Sequence, residues 1–143
     1  MKRIVLMLTA AAVVAGCATT TSPTGRRQAT GAVSQAQLNQ MGEQAFAEAK
    51  SKQKLSTDSR SNVYVRCVVN ALVAQLPEQQ RAVAWEVALF QDDSANAFAL
   101  PGGKVGVNTG IFKVATNQDQ LAAVVAHEIV HVVANHHDER ITR

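Results

Sequence analysis

Leu121-Ala-Ala-Val-Val-Ala-His127-Glu128-Ile-Val-His131-Val-Val-Ala134 is an apolar run broken by three polar side chains. His127, Glu128 and His131 read H-E-x-x-H. On an α-helix, residues i and i+4 stand about 40° apart, one turn above the other, so both imidazoles can reach one metal ion. Glu128 lies about 100° round from His127, where it can lean over the water such a metal would carry. The spacing predicts His127 and His131 as zinc ligands and Glu128 as general base, the arrangement of zinc metalloproteases.

The pattern is short, and its context carries the argument. Set at about 100° per residue, Leu121, Ala123, Val124, Val125, Val130, Val132 and Ala134 leave no polar face, which predicts a helix buried all round. Burying a carboxylate beside two imidazoles is costly unless something compensates. A metal compensates for all three groups; a hydrogen-bonded core histidine accounts for one. The run is too short and too polar to span a membrane. Asn117 reads as its N-cap, Gln120 as the partner completing a capping box, and Asp119 lies in the first turn where the helix dipole favours it. After Ala134 comes the polar run Asn135-His-His-Asp-Glu-Arg140, which reads as a solvated stretch leaving the core.

Upstream, the period changes to two. Trp85, Val87 and Leu89 alternate with Glu86, Ala88 and Phe90, which predicts a strand starting from Val83. Asp92-Asp93-Ser94 is a turn. Asn96 to Leu100 and Lys104 to Asn108 read as two strands joined by Pro101-Gly102-Gly103, a hairpin signal. Gly110 to Val114 reads as a helical turn leading into the central helix. Earlier, Ser34 with Gln37 forms a capping box opening a helix to about Lys50, with Leu38, Met41, Ala45 and Ala49 on one side. Ser59 to Leu76 gives a second helix on which Val65, Val68, Val69, Leu72 and Leu76 share the helical period, with Pro77 beyond its end. Cys67 in that helix reads as a small buried hydrophobe. Helix, helix, small antiparallel sheet and central helix make an α+β fold.

The first residues are of another kind. Lys2 and Arg3 precede an apolar core from Ile4 to Val14, and Ala15-Gly16 is a small-residue cleavage site, so residues 1–17 read as a signal peptide. In Val14-Ala15-Gly16-Cys17 the cysteine directly follows the small pair, as in the bacterial lipobox, which predicts Cys17 as a lipidated N-terminus anchored in a membrane. Ala18 after it suggests, by similarity to Gram-negative lipoproteins, the outer membrane facing the periplasm. Residues 18–33, rich in Thr, Ser, Pro and Gly, read as a tether. Of 143 residues, 14 are basic and 11 acidic, a formal charge of +3; without Lys2 and Arg3 the body carries about +1. No basic patch interleaves with aromatics, so nucleic acid is not an expected partner.

Asn96-Ala-Phe-Ala-Leu-Pro-Gly-Gly-Lys-Val-Gly-Val-Asn-Thr-Gly110, followed by Leu121 to His131, closely resembles peptidase family forty-eight of the metallopeptidases, the group of the CAAX prenyl protease and the bacterial heat-shock membrane protease. Thr24-Gly-Arg-Arg-Gln28 is similar to a segment in the secreted lipoprotein branch. The resemblance implies a zincin-like domain over residues 34–143, with the H-E-x-x-H helix packed against a small sheet whose edge strand holds an extended peptide. It implies Zn2+ held by His127 and His131, Glu128 as the catalytic base, and Asn96 as a substrate-facing residue. The family's third protein ligand is a glutamate on a later helix, and no such segment precedes Arg143. The chain therefore reads as an incomplete catalytic domain, a fragment or a truncated product.

A rival ligand lies within the chain. His137 stands six residues after His131, the metzincin spacing, although that pattern needs glycine where Ala134 stands. The expected function is a zinc endopeptidase of the bacterial envelope acting on exposed or misfolded proteins. The alternative is a non-catalytic lipoprotein that binds protein segments along the same edge strand.

Overall fold

The structure is a computed structural model and describes residues 19–21, 25, 27–29 and 33–134. The signal segment with Cys17, and the polar run with His137, lie outside the described residues. Within the segment expected as a tether, β1 (Thr19–Thr21) pairs antiparallel with β2 (Arg27–Ala29). Part of that stretch is thus a two-stranded ribbon.

Helix α1 (Gln35–Lys52) starts where its capping box predicts. Ser34 Oγ accepts from the Gln37 N–H, and the Gln37 side chain accepts from the Ser34 N–H. Its buried stripe, however, is Leu38, Gly42 and Phe46, while Met41 is 51% exposed and Ala45 is exposed too. The reason is a close approach. A Cβ on Gly42 would sit 2.0 Å from the Pro101 carbonyl oxygen, so the helix meets the sheet through its glycine and not through Met41. Helix α2 (Ser59–Val73) is capped by Asp58 and buries Val65, Val68 and Val69; Leu72 and Leu76 are half-buried. Cys67 is exposed, contrary to its expected burial, because Val65, Val68 and Val69 are the residues of α2 that turn to the core. A short helix, α3 (Glu78–Arg81), follows Pro77.

Strands β3 (Glu86–Phe90), β4 (Ala97–Leu100) and β5 (Lys104–Asn108) form a sheet in the order β3-β5-β4. The Pro101-Gly102-Gly103 hairpin pairs β4 antiparallel with β5, and both glycines adopt the positive φ such a turn requires. The third strand corrects the expectation of an antiparallel sheet, since β3 runs parallel to β5. From β3 the chain reverses but lands one strand-width away, and the hairpin returns β5 into the gap. Alternation within a strand says nothing about which strand will be its neighbour. As the central strand, β5 is buried at every residue.

The sheet is covered on both faces. Leu89, Ala97, Ala99, Val105 and Val107 pack with α2 and with α4 (Gln118–Val133) in one aliphatic core. Ala88, Phe90, Phe98 and Leu100 face α1 around Phe46 in a smaller aromatic one. Such burial, at roughly 25 cal/mol per Å2 of apolar surface, is the main force holding the helices on the sheet. The segment Lys54–Ser56 lies along the outer side of β3, with Ser56 N–H donating to Leu89 O and Gln91 N–H to Lys54 O. Among the described residues, the outer edge of β4 is left unpaired.

Candidate metal centre

Helix α4 is reached through a 3-10 turn, Thr109–Lys113. Asn117 Oδ1 accepts from the Gln120 N–H at 3.0 Å, as the cap predicts. The Gln120 side chain does not return to Asn117; it accepts from the N–H and hydroxyl of Thr116. The box is therefore shifted by one residue.

The helix buries Leu121, Val125 and Ile129 and is not enclosed all round. His127 is exposed, Glu128 and His131 are half-buried, and Val130 is 47% exposed. Only α2 and β4 press closely on α4 among the described elements, and both lie on its Leu121–Val125–Ile129 side. The apolar residues elsewhere on the helix misled the periodicity.

The two imidazoles meet. His127 Nε2 and His131 Nε2 are 3.2 Å apart, with the rings edge to face at 4.7 Å. That separation can be tested against a metal. Two nitrogens bound to a tetrahedral zinc at about 2.0–2.1 Å stand roughly 3.3 Å apart. The pair fits with almost no adjustment, and without a metal the same approach needs a proton on one nitrogen donated to the other. Glu128 is the next residue along from His127, on the same stretch of helix. Among the described residues, no group of three or more His, Cys, Asp or Glu side chains gathers to hold a metal, so the pair stands as two donors.

Asn96 is exposed and directly precedes β4, the strand against which α4 packs. Its carbonyl accepts from the Asn108 N–H at 2.9 Å. In an antiparallel ladder this fixes the alternation: residues 96, 98 and 100 pair inward with β5, and Ala97 and Ala99 turn their N–H and C=O to the outer edge. Sequence reasoning chose Asn96 and missed these two main-chain positions. The signal was present, because the hairpin turn sets the register and the register decides which residues face out.

Two convergent imidazoles and a neighbouring carboxylate thus stand on a helix packed against β4, whose outer edge is unpaired among the described residues. The sequence model of Peptidase family M48 matches residues 59–143, more than half the chain, and the protein belongs to that family. Its relatives include the mitochondrial metalloendopeptidase OMA1 of Schizosaccharomyces pombe, 36% identical over 104 residues, covering 71% of this chain and 30% of the relative. The beta-barrel assembly-enhancing protease of Escherichia coli K12 is 32% identical over 99 residues, covering 68% of this chain and 20% of that protein. The chain thus spans less than a third of the length of these relatives.

Proposed function

We propose that this chain carries part of the catalytic domain, over residues 34–143, of a zincin-like zinc endopeptidase of the bacterial envelope. In this reading it is anchored in the outer membrane through lipidated Cys17, which becomes the first residue on cleavage after Gly16, with residues 18–33 as a tether. Its substrates are exposed or misfolded polypeptides. The observation that carries the reading is the 3.2 Å approach of the His127 and His131 Nε2 atoms next to Glu128. A relative named a beta-barrel assembly-enhancing protease and another named a mitochondrial metalloendopeptidase support a protein or peptide substrate.

His127 and His131 would present neutral Nε2 lone pairs to zinc. Bound there, zinc supplies Lewis-acid chemistry, easing ionisation of water and polarising a peptide carbonyl. Glu128 takes the proton of the attacking water on its carboxylate and returns it to the leaving amine. The outward N–H and C=O of Ala97 and Ala99 align an extended peptide by β-augmentation, with Asn96 at the head of that edge.

Replacing Glu128 by Gln keeps the shape and removes the base. In a chain that includes a third protein ligand, zinc content should stay and cleavage of casein should fall by roughly two to four orders of magnitude. His127→Ala or His131→Ala should lose zinc as well. Undiminished cleavage by Glu128→Gln would overturn the mechanism. For the 143-residue chain the expected result is loose zinc and no appreciable cleavage, because two ligands hold the ion weakly. Tight zinc with chelator-sensitive cleavage would instead bring in a further ligand, and His137 is the first to replace.

A further inference from the structure

The turn between β3 and β4 is fastened far more thoroughly than an exposed six-residue connection requires. Thr109 Oγ1 donates to Asp92 O at 3.0 Å, and Gly110 N–H donates to the same oxygen at 2.8 Å. Ser94 N–H donates to Asp92 Oδ1 at 2.7 Å, and the Ser94 hydroxyl donates to that oxygen too. These Ser94 bonds hold the Asp92 carboxyl below its ordinary value, the hydroxyl bond being the larger cause. Gly110 allows the approach: a Cβ there would lie 2.1 Å from Asp93 O.

Asn108 is the buried end of this network. It is 6% exposed, its main-chain N–H donates to Asn96 O, and its Nδ2 donates to Ser94 Oγ at 2.8 Å. Its Oδ1 is buried with no hydrogen-bond partner. An unpaired buried acceptor is destabilising, and an aliphatic side chain at the last position of a central strand would avoid it. What the amide provides in return is a tie from the sheet to Ser94, two residues ahead of Asn96.

We infer that Asn108 is a positioning residue for peptide binding: through Ser94 and Asn96 it fixes where the open edge of β4 begins, so that Ala97 and Ala99 present their outward N–H and C=O in one register. This inference rests on the peptide-edge reading above and names a residue on which that edge depends. It needs no metal and no turnover, because it concerns the backbone of β4. Asn108 touches no substrate.

The test is binding of a short fluorescein-labelled peptide of alternating valine and threonine to the full chain, followed by anisotropy, with melting temperature measured in parallel. Ser94→Ala removes the acceptor of the Asn108 amide at an exposed position, so the fold should survive. Its affinity for the peptide should fall roughly threefold to tenfold, the size of one lost hydrogen bond, with little change in melting temperature. Ser94→Thr keeps the hydroxyl and should restore affinity, which a merely structural role would not predict. Asn108→Asp should weaken binding at least as much; if it fails to fold, the Ser94 pair carries the test. Ala99→Pro is the control for the parent reading, since it deletes one outward N–H, a change edge strands tolerate. Loss of binding in Ala99→Pro with none in Ser94→Ala overturns the inference and leaves the edge intact as a binding site. No effect of Ala99→Pro, or no binding of the peptide at all, overturns the edge itself.

Discussion

Two helices grip β4 from opposite faces of the sheet, and they do so with different chemistry. On one face, α1 brings Phe46 edge-on to Phe90 and Phe98, at ring distances of 6.4 and 6.5 Å. It also seats Gly42 on the Pro101 carbonyl and reaches Glu86 with Lys50. On the other face, α4 offers Leu121, Val125 and Ile129 to an aliphatic core, and its two imidazoles meet each other. The aromatic rings, the close approach and the ion pair of α1 all tie helix to sheet. The polar groups of α4 lie off its packing face. Among the described residues, the packing of α4 on the sheet uses Leu121, Val125 and Ile129, and neither its histidines nor Glu128 belongs to that buried stripe. That contrast says where mutation should cost stability and where it should cost function.

The largest stability effect belongs to the α1 face. Phe46 is 1% exposed and contacts two other rings, so Phe46→Ala should cost about 3–5 kcal/mol. Ile129→Ala on α4 should cost about 2–5 kcal/mol, within the same range, because both helices are held by core packing. Urea unfolding of the two variants measures this. A loss below about 1 kcal/mol for Phe46→Ala would mean that α1 is dispensable to the sheet. Next comes Gly42→Ala. A mid-helix glycine replaced by alanine normally gains about 1 kcal/mol. Here the new Cβ meets backbone at 2.0 Å, and either α1 or the hairpin has to shift. A net loss of about 2 kcal/mol is expected. A stabilised Gly42→Ala would show that α1 can slide on the hairpin without penalty.

The comparison also separates what the residues disclosed from what they withheld. Local signals survived folding. The Ser34–Gln37 box, the Asn117 cap and the Pro-Gly-Gly hairpin depend on neighbours within a few residues, and each stands where it was read. The meeting of His127 with His131 was legible for the same reason, since one helical turn fixes it. Errors arose where partners distant in sequence decide the outcome. Met41 and Ala45 fit the apolar period of α1, yet the bare backbone of Gly42 lets Pro101 come closest. The parallel pairing of β3 with β5 depends on a crossing that alternation does not encode. The valines of α4 matched an all-round apolar pattern, and only packing partners determine which side of it is covered.

A smaller effect should appear in acid. Glu86 takes hydrogen bonds from Lys50 and, at 3.1 Å, from Lys104, and these ion pairs hold its carboxyl below the ordinary value of 4.5, the Lys50 bond being the larger cause. A carboxyl whose pKa is lowered by folding stabilises the native state above its unfolded value, and that stability is lost as pH falls through the lowered native value. The Lys50–Glu86–Lys104 contribution is therefore whole at neutral pH and begins to fade as pH drops toward 4.5. Glu86 is 43% exposed, so water screens much of the effect, and less than about 1 kcal/mol is expected. The measurement is melting temperature against pH for the wild type and Glu86→Gln. Asp58 and Asp92, also lowered by their hydrogen bonds with Ser61 and Ser94, remain in both proteins and cancel. The two curves should lie apart at pH 7 and converge in acid. A constant gap would mean that the triad does not link α1 to the sheet electrostatically.

The smallest expected stability effect is at the proposed metal centre itself. His127 is exposed and lies off the buried stripe of α4, and alanine is the best helix former. His127→Ala should therefore change unfolding free energy by no more than about 0.5 kcal/mol without metal. The same variant should lose any response to zinc. A ligand that binds only the native state raises stability according to its concentration over its dissociation constant, so even loosely held zinc should raise the wild-type melting temperature as the metal is added. Chelator should reverse the rise. In His127→Ala the curve should stay flat across the titration, and in Glu128→Gln it should follow the wild type, because the carboxylate is assigned to the proton and not to the ion. An equal zinc-dependent rise in His127→Ala would place the metal elsewhere on the chain. A large loss of stability in metal-free His127→Ala would show instead that the imidazole pair holds the fold, and the division of labour between α1 and α4 would fail.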